Sequence, residues 1–181
     1  MGIVYLITTF FAGIAVAFIN TISGAGSLFS ISAFMFVGMS ATEANATNRI
    51  PILVQSFFSA KGFESKGIKG DSYKWWLALA CMPGAIAGSL FATKIESHIL
   101  SRILAGVMLL FLFITLFNPL QQADEAEERV SKKYKVAGVI IHFFIGLYGG
   151  FIQAGSGVFM MAPLMLLKRF SFRKTNYYKV F

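Results

Sequence analysis

Charge is scarce in this sequence, and so are the side chains that usually carry chemistry. Only 13% of the residues are charged while 56% are hydrophobic, and the mean hydropathy is +0.69. A soluble domain could not hide so much apolar surface, so the composition points to a polytopic membrane protein. The single cysteine, Cys81, excludes an intrachain disulfide and has no partner at metal-ligand spacing. It reads as a small core residue. With 2 histidines and 8 acidic residues, no spaced His/Asp/Glu cluster or Ser/His/Asp set forms, so neither an enzyme, a metal site nor a cofactor is expected. A net charge of +8 would suit nucleic acid, but the basic residues stand in short loops between apolar spans. Membrane topology explains them, and no nucleic-acid partner is expected. The amino-terminal run has no basic segment before it and no small-residue cleavage site, so it reads as a retained span.

What the sequence has in abundance is an uncharged run from Ile3 to Met39. At ~1.5 Å per helical residue a bilayer core of ~30 Å takes about 20 residues, so this run is too long for one upright helix. The break falls in Ser23-Gly24-Ala25-Gly26-Ser27, where serines and glycines interrupt the apolar pattern just after Asn20 and Thr21. Irregular backbone at membrane depth is tolerated only where it packs in protein or lines a cavity, which makes this break a candidate site.

Ile3 to about Ile22 therefore reads as one span and Ser27 to Met39 as a short helix of roughly 18 Å, too short to cross upright. Ser40-Ala41-Thr42-Glu43 fits a capping box that opens a third helix reaching about Gly62. Within it, Pro51 lacks an N–H and opposes the carbonyl of Thr47, predicting a kink beside Asn48 and Arg49. Trp75 and Trp76 follow the Lys61–Lys74 loop as interfacial anchors. The next span, about Trp75 to Thr93, carries Gly84 and Gly88 at a spacing that allows close helix packing. Another, from Ile103, ends at Asn118-Pro119. His142, in the span from Val136 to about Gln153, reads as a packed residue rather than a proton relay.

An internal repeat orders these elements. At an offset of 131 residues Gly24 falls on Gly155, Gly26 on Gly157, Ser40 on Ser171 and Asn45 on Asn176, and with a gap of two Asn20 falls on Gln153. Paired interruptions in two halves are the sequence pointer to a transporter binding site. The expected organisation is a first transmembrane repeat over 1–119, a hydrophilic cytoplasmic linker over 120–135, and the start of a second repeat over 136–181. Repeat arithmetic expects a further carboxyl-terminal part of roughly 70 residues, so the chain reads as truncated. If the short helices reach the far face, three loops holding 13 of the 16 Lys and Arg residues share one side, which the positive-inside rule makes cytoplasmic. The first repeat then has five crossings, and the second is inverted. Re-entrant short helices would undo that count. The fold class expected is thus an all-α polytopic transmembrane bundle of two repeats with Gly-rich helix breaks, multi-pass in a bacterial plasma membrane.

The stretches Phe18–Ser27, Ala44-Asn45-Ala46-Thr47-Asn48-Arg49-Ile50, Gly149–Val158 and Thr175-Asn176-Tyr177-Tyr178-Lys179-Val180 together resemble the sulfite exporter TauE/SafE family of membrane permeases. The likeness covers essentially the whole chain. It implies two related helical halves and a small sulfur-containing anion, such as sulfite or an organosulfonate, as substrate. Ser27 and Ser156 stand where family members often have glycine, and Tyr177-Tyr178 where smaller residues are expected.

An anion at membrane depth needs N–H donors, helix amino-termini or a cation. The helices opening after Gly26 and Gly157 supply the second. Asn20, Ser23, Ser27, Gln153 and Ser156 supply neutral donors, Asn45, Thr47 and Asn48 an opposite wall, and Arg49 a planar fork suited to a sulfite or sulfonate. Against this, Arg49 would also serve as a structural tie to helix carbonyls or to Glu43. Gly24, Gly26, Gly155 and Gly157 would also serve close helix packing. Substrate and lipid bilayer are the partners expected; proton coupling has only Glu43 and His142 to draw on, and a homo-oligomer is left open. The favoured reading is a secondary carrier with alternating access. The alternative is a non-transporting membrane subunit that binds a partner through its cytoplasmic loops.

Overall fold

The computed structural model describes residues 2–117, 128–129 and 131–181, and nearly all of these lie in helices. In chain order they are α1 (Gly2–Ser23), α2 (Gly26–Phe36), α3 (Ala41–Thr47), α4 (Arg49–Ser65), α5 (Tyr73–Ala92), α6 (Ser97–Phe117), α7 (Lys132–Phe151), α8 (Ser156–Leu166) and α9 (Phe172–Val180). The long uncharged run does break in two. α1, with 22 residues, reaches ~33 Å, whereas α2 and α8, with 11 each, reach only ~16 Å, about half a bilayer core.

Local chemistry sets the boundaries. Ser40 Oγ accepts from the Glu43 amide at 3.3 Å while Glu43 Oε2 accepts from the Ser40 amide at 2.9 Å, so the capping box opens α3. α3 gives way to α4 at Asn48, beside the position expected for the Pro51 kink, and the backbone there stays helical at φ −61° and ψ −18° with the Asn48 amide on the Ala44 carbonyl. The α4 helix then runs three residues past Gly62.

The central frame is the α5–α7 pair, joined by interlocking small residues. A Cβ on Gly84 or Gly88 would run into the carbonyl oxygen of Phe143 or Leu147, and one on Gly146 or Gly150 into that of Cys81 or Ala85. The backbones are thus in direct contact, the arrangement by which membrane helices gain dispersion contacts where lipid supplies no hydrophobic drive. Both helices are long and apolar enough to cross a membrane. Cys81 and His142 sit within this packing: Cys81 Sγ donates to the His142 carbonyl at 3.1 Å, and His142 Nδ1 pairs with the Gly138 carbonyl at 2.7 Å.

Two apolar clusters flank the frame. Ile31, Ala41, Ala44, Leu100, Leu104, Ile152 and Ala154 join α2, α3 and α6 to the residues just before α8. Tyr73, Leu77, Leu164, Phe170, Tyr177 and Tyr178 join α5 to the end of α8 and to α9. The Tyr177-Tyr178 pair is therefore core. Outside, the polarity is reversed from that of a water-soluble protein. Phe18 is 66% exposed, Leu53 73% and Phe36 95%, while Asn20, Asn45, Asn48, Thr175 and Asn176 are buried. Such an exterior is matched by lipid, not water. Trp75 and Trp76, both exposed at the start of α5, suit the headgroup level.

Most of the hydrophilic stretch 120–135 lies outside the described residues. Its described end is tied to the α8–α9 connection: Glu128 pairs with Lys174 at 2.7 Å and the Arg129 amide donates to the Lys168 carbonyl at 3.0 Å. Lys132–Lys135 already belong to α7.

Candidate functional site

Both helix breaks turn on a left-handed glycine. Gly24 has φ +74° and Gly155 φ +71°, a conformation that a Cβ would strain by roughly 1–2 kcal/mol and that ends a helix cleanly. The two breaks meet. A Cβ on Gly24 would stand 2.6 Å from the Gly157 carbonyl carbon and 2.7 Å from the Val158 nitrogen. Gly26 packs as tightly on Asn20, and Gly155 on the Phe111 ring. Close packing and a polar break are thus properties of the same residues.

Side chains from both halves then satisfy the freed backbone groups. Ser27 Oγ accepts from the Gly155 amide at 3.0 Å and donates to the Gln153 carbonyl at 3.3 Å. Asn45 Nδ2 donates to the Phe151 carbonyl at 3.0 Å, and its Oδ1 accepts from the Gln153 amide at 3.1 Å. Asn20 Oδ1 accepts from the Ser27 amide at 3.3 Å, and its Nδ2 donates to Gln55 Oε1 at 3.1 Å. Asn48 accepts from Ser30 Oγ at 2.5 Å and donates to Gln153 Oε1 at 3.3 Å. Among the described residues no buried side-chain nitrogen or oxygen lacks a partner, as a low-dielectric interior demands.

Geometry recurs at the offset found in the sequence. Ser171 Oγ accepts from the Lys174 amide at 3.4 Å, 131 residues after Ser40 and Glu43. Asn48 corresponds to Lys179, and each reaches across to the break in the other half. Lys179 Nζ donates to the Asn20 carbonyl at 3.0 Å, the Thr21 carbonyl at 2.6 Å and Asn176 Oδ1 at 2.7 Å. Arg49 donates to the Gly150 carbonyl. Each cation therefore sits at the carbonyl end of a broken helix, α1 for Lys179 and α7 for Arg49, where the helix dipole is negative.

Between the breaks lies a cavity of about 60 Å³. Of the residues expected to form a site, Asn20, Gly24, Ser27, Gln153, Ser156 and Gly157 line it. Gly26, Asn45, Asn48 and Gly155 support those residues from behind. Ser23 is exposed, with its hydroxyl on the Ile19 carbonyl and the Ala25 amide, Thr47 is half-buried at the end of α3, and Arg49 is not among the lining residues. Sequence reasoning missed Gln55 and Ser56, which do line it, although Ile52, Gln55, Ser56 and Ser59 follow Asn48 at helical spacing. Lys179, whose alignment near Asn48 offers a cation to the second half, lines it too.

The cavity thus offers amides, hydroxyls, one ammonium and no carboxylate. Such a set can bind a small polar solute through both donors and acceptors. Among the described residues no three His, Cys, Asp or Glu side chains gather as a metal site.

Comparison with known proteins places this geometry in a family. The chain is 26% identical over 174 residues to a Haemophilus influenzae protein named "Probable membrane transporter protein", covering 96% of this chain and 68% of that one. It is 28% identical over 169 residues to the "Probable membrane transporter protein YfcA" of Escherichia coli K12, covering 92% and 61%. A Sinorhizobium protein named "Probable membrane transporter protein ORF9" is 25% identical over 167 residues, covering 92% and 63%. The chain thus spans somewhat under two thirds of two of these relatives and 68% of the other. No solved structure matches it. The sequence model described as "Sulfite exporter TauE/SafE" matches residues 9–181, and the chain belongs to the sulfite exporter TauE/SafE family.

Proposed function

We propose that this chain forms the substrate-binding part of a secondary carrier for a small oxyanion in a bacterial plasma membrane. The observation that carries the reading is the meeting of two glycine-broken helices at a carboxylate-free polar cavity, inside a bundle whose exterior is apolar. The names of the relatives support transport, and the family's description supports sulfite.

Size narrows the substrate. A cavity of about 60 Å³ holds roughly two waters at the ~30 Å³ each takes up in the liquid, which suits a small oxyanion such as sulfite. Asn20, Gln153 and Ser156 are the neutral donors, Ser27 lines the cavity with its hydroxyl hydrogen on the Gln153 carbonyl, and the amino-terminal ends of α2 and α8 add positive potential. Gly24 and Gly157 keep the two breaks in contact. Gly26, Asn45, Asn48 and Gly155 hold the lining residues in place, while Arg49 ties the start of α4 to α7 and Thr47 is half-buried at the end of α3.

The crossed contacts support alternating access. The third helix of each half binds the broken helix of the other, a relationship expected of two halves related by inversion. Rocking one half against the other would open the cavity to either side in turn.

The test is uptake of sulfite, sulfoacetate and a carboxylate control by proteoliposomes holding the full-length protein, with and without a pH gradient. Saturable sulfite uptake that exceeds sulfoacetate uptake is the expected result, and dependence on the gradient would establish proton coupling. Absence of saturable flux for every anion would sink the carrier and favour the partner-binding subunit.

A further inference from the structure

Lys179 is a half-buried cation that no carboxylate balances among the described residues. The ion pairs there join Lys74 to Glu64, His98 to Glu96 and Lys174 to Glu128. Its three partners are neutral oxygens: the carbonyls of Asn20 and Thr21 and the side chain of Asn176. Dipoles of this kind reduce the cost of holding an ammonium away from water, but leave its net charge uncompensated. The same residue lines the cavity between the breaks, beside Asn20, Gly24 and Gln153.

Arg49 is likewise half-buried, outside the ion pairs and bonded to a neutral oxygen, the Gly150 carbonyl, but it does not line the cavity. We propose that Lys179 is the counter-charge for the transported anion, and that the anion is taken in exchange for a carbonyl at the end of α1. The proposal rests on the reading of the chain as an anion carrier. An ammonium has three donors, and all three are in use, so an incoming oxyanion must displace one of the partners. Asn176, one helical turn before Lys179, can hold the ammonium throughout, whereas the Asn20 and Thr21 carbonyls belong to another helix. Loading the cavity thereby loosens α9 from α1. Substrate binding is in this way joined to a contact between the two halves, the kind of contact that alternating access must break.

The experiment has two arms, both on the full-length protein with sulfite as the probe. In proteoliposomes, Lys179→Gln keeps a hydrogen-bonding side chain without charge and should raise KM for sulfite by about tenfold or more, the loss expected for a hydrogen bond to a charged group. Lys179→Arg, which keeps the charge, should stay within roughly threefold of wild type, and Arg49→Gln should change KM less than Lys179→Gln does. In the second arm, which needs no neutral variant to fold, wild-type protein labelled at its lysine nitrogens is titrated with sulfite. The Nζ resonance of Lys179, assigned by its absence in Lys179→Arg, should shift saturably with a midpoint near KM. Saturable flux with an unmoved Nζ resonance, or with Lys179→Gln at wild-type KM, would overturn the role of Lys179 and leave the carrier standing. Neither flux nor any sulfite-dependent shift would overturn both.

Discussion

Gly24 and Gly157 meet backbone to backbone: a Cβ placed on Gly157 would stand 2.7 Å from both Cα and the carbonyl oxygen of Gly24. Backbone cannot yield as a flexible side chain does, so neither position accepts a methyl without separating the breaks. Gly24→Ala carries the further strain of φ +74° and should cost about 1–2 kcal/mol more than Gly157→Ala. Gly106→Ala, in α6 with nothing within 4 Å of its Cβ, should be neutral or stabilise by up to about 1 kcal/mol. Unfolding of the three variants in detergent checks the order.

Ser27 holds both sides of the second break, accepting from the Gly155 amide and donating to the Gln153 carbonyl. Ser27→Ala leaves a buried N–H without its partner and should cost about 1–3 kcal/mol. Ser23→Ala, at an exposed position, should stay within about 0.5 kcal/mol of wild type. Equal losses in the two variants would contradict this assignment.

The α5–α7 frame depends on the absence of side chains. Gly88→Ala drives a methyl against the Leu147 carbonyl and Gly84→Ala one against that of Phe143. Each should destabilise by about 1–3 kcal/mol, with the pair less than additive because both open the same interface. Thermal unfolding of the single and double variants gives the comparison.

Acid stability should depend on Asp71, in the loop before α5. Burial pushes its carboxyl up, but hydrogen bonds from the Tyr178 hydroxyl and the Tyr73 amide, with Lys135 and Lys174 nearby, outweigh that and hold it below the ordinary value of 3.8. A group depressed in the folded state contributes stability that is present in full above its unfolded pKa and fades as the pH falls through the folded one. The Asp71→Asn variant should therefore be less stable than wild type at neutral pH and lose less on acidification below pH 3.8. A pH series of unfolding midpoints tests this, and parallel curves for the two proteins would contradict it.

Local patterns proved readable from the chain alone. The Ser40–Glu43 box opens α3 because capping involves residues three apart. Glycine breaks after α1 and before α8 are legible because a left-handed turn in an apolar run has few other causes. Pro51 was read as a kink beside Asn48, and α3 gives way to α4 at that residue, because the bond a proline removes is a local property. Arg49 shows the limit of such reading. Its charge within a polar stretch drew attention, but whether a guanidinium meets a ligand or the Gly150 carbonyl depends on a residue about a hundred positions away.

By itself the sequence determined the class of environment, the all-helical elements and the two paired interruptions, since each follows from composition or from spacing along one strand of chain. Tertiary structure alone decided that the interruptions touch, that Gln55 joins Asn20 in lining the cavity, and that Lys179 rather than Arg49 stands there. The reason is physical. Helix and turn signals arise from contacts within a few residues, while a cavity is formed by backbones that approach only where glycines on distant segments let them.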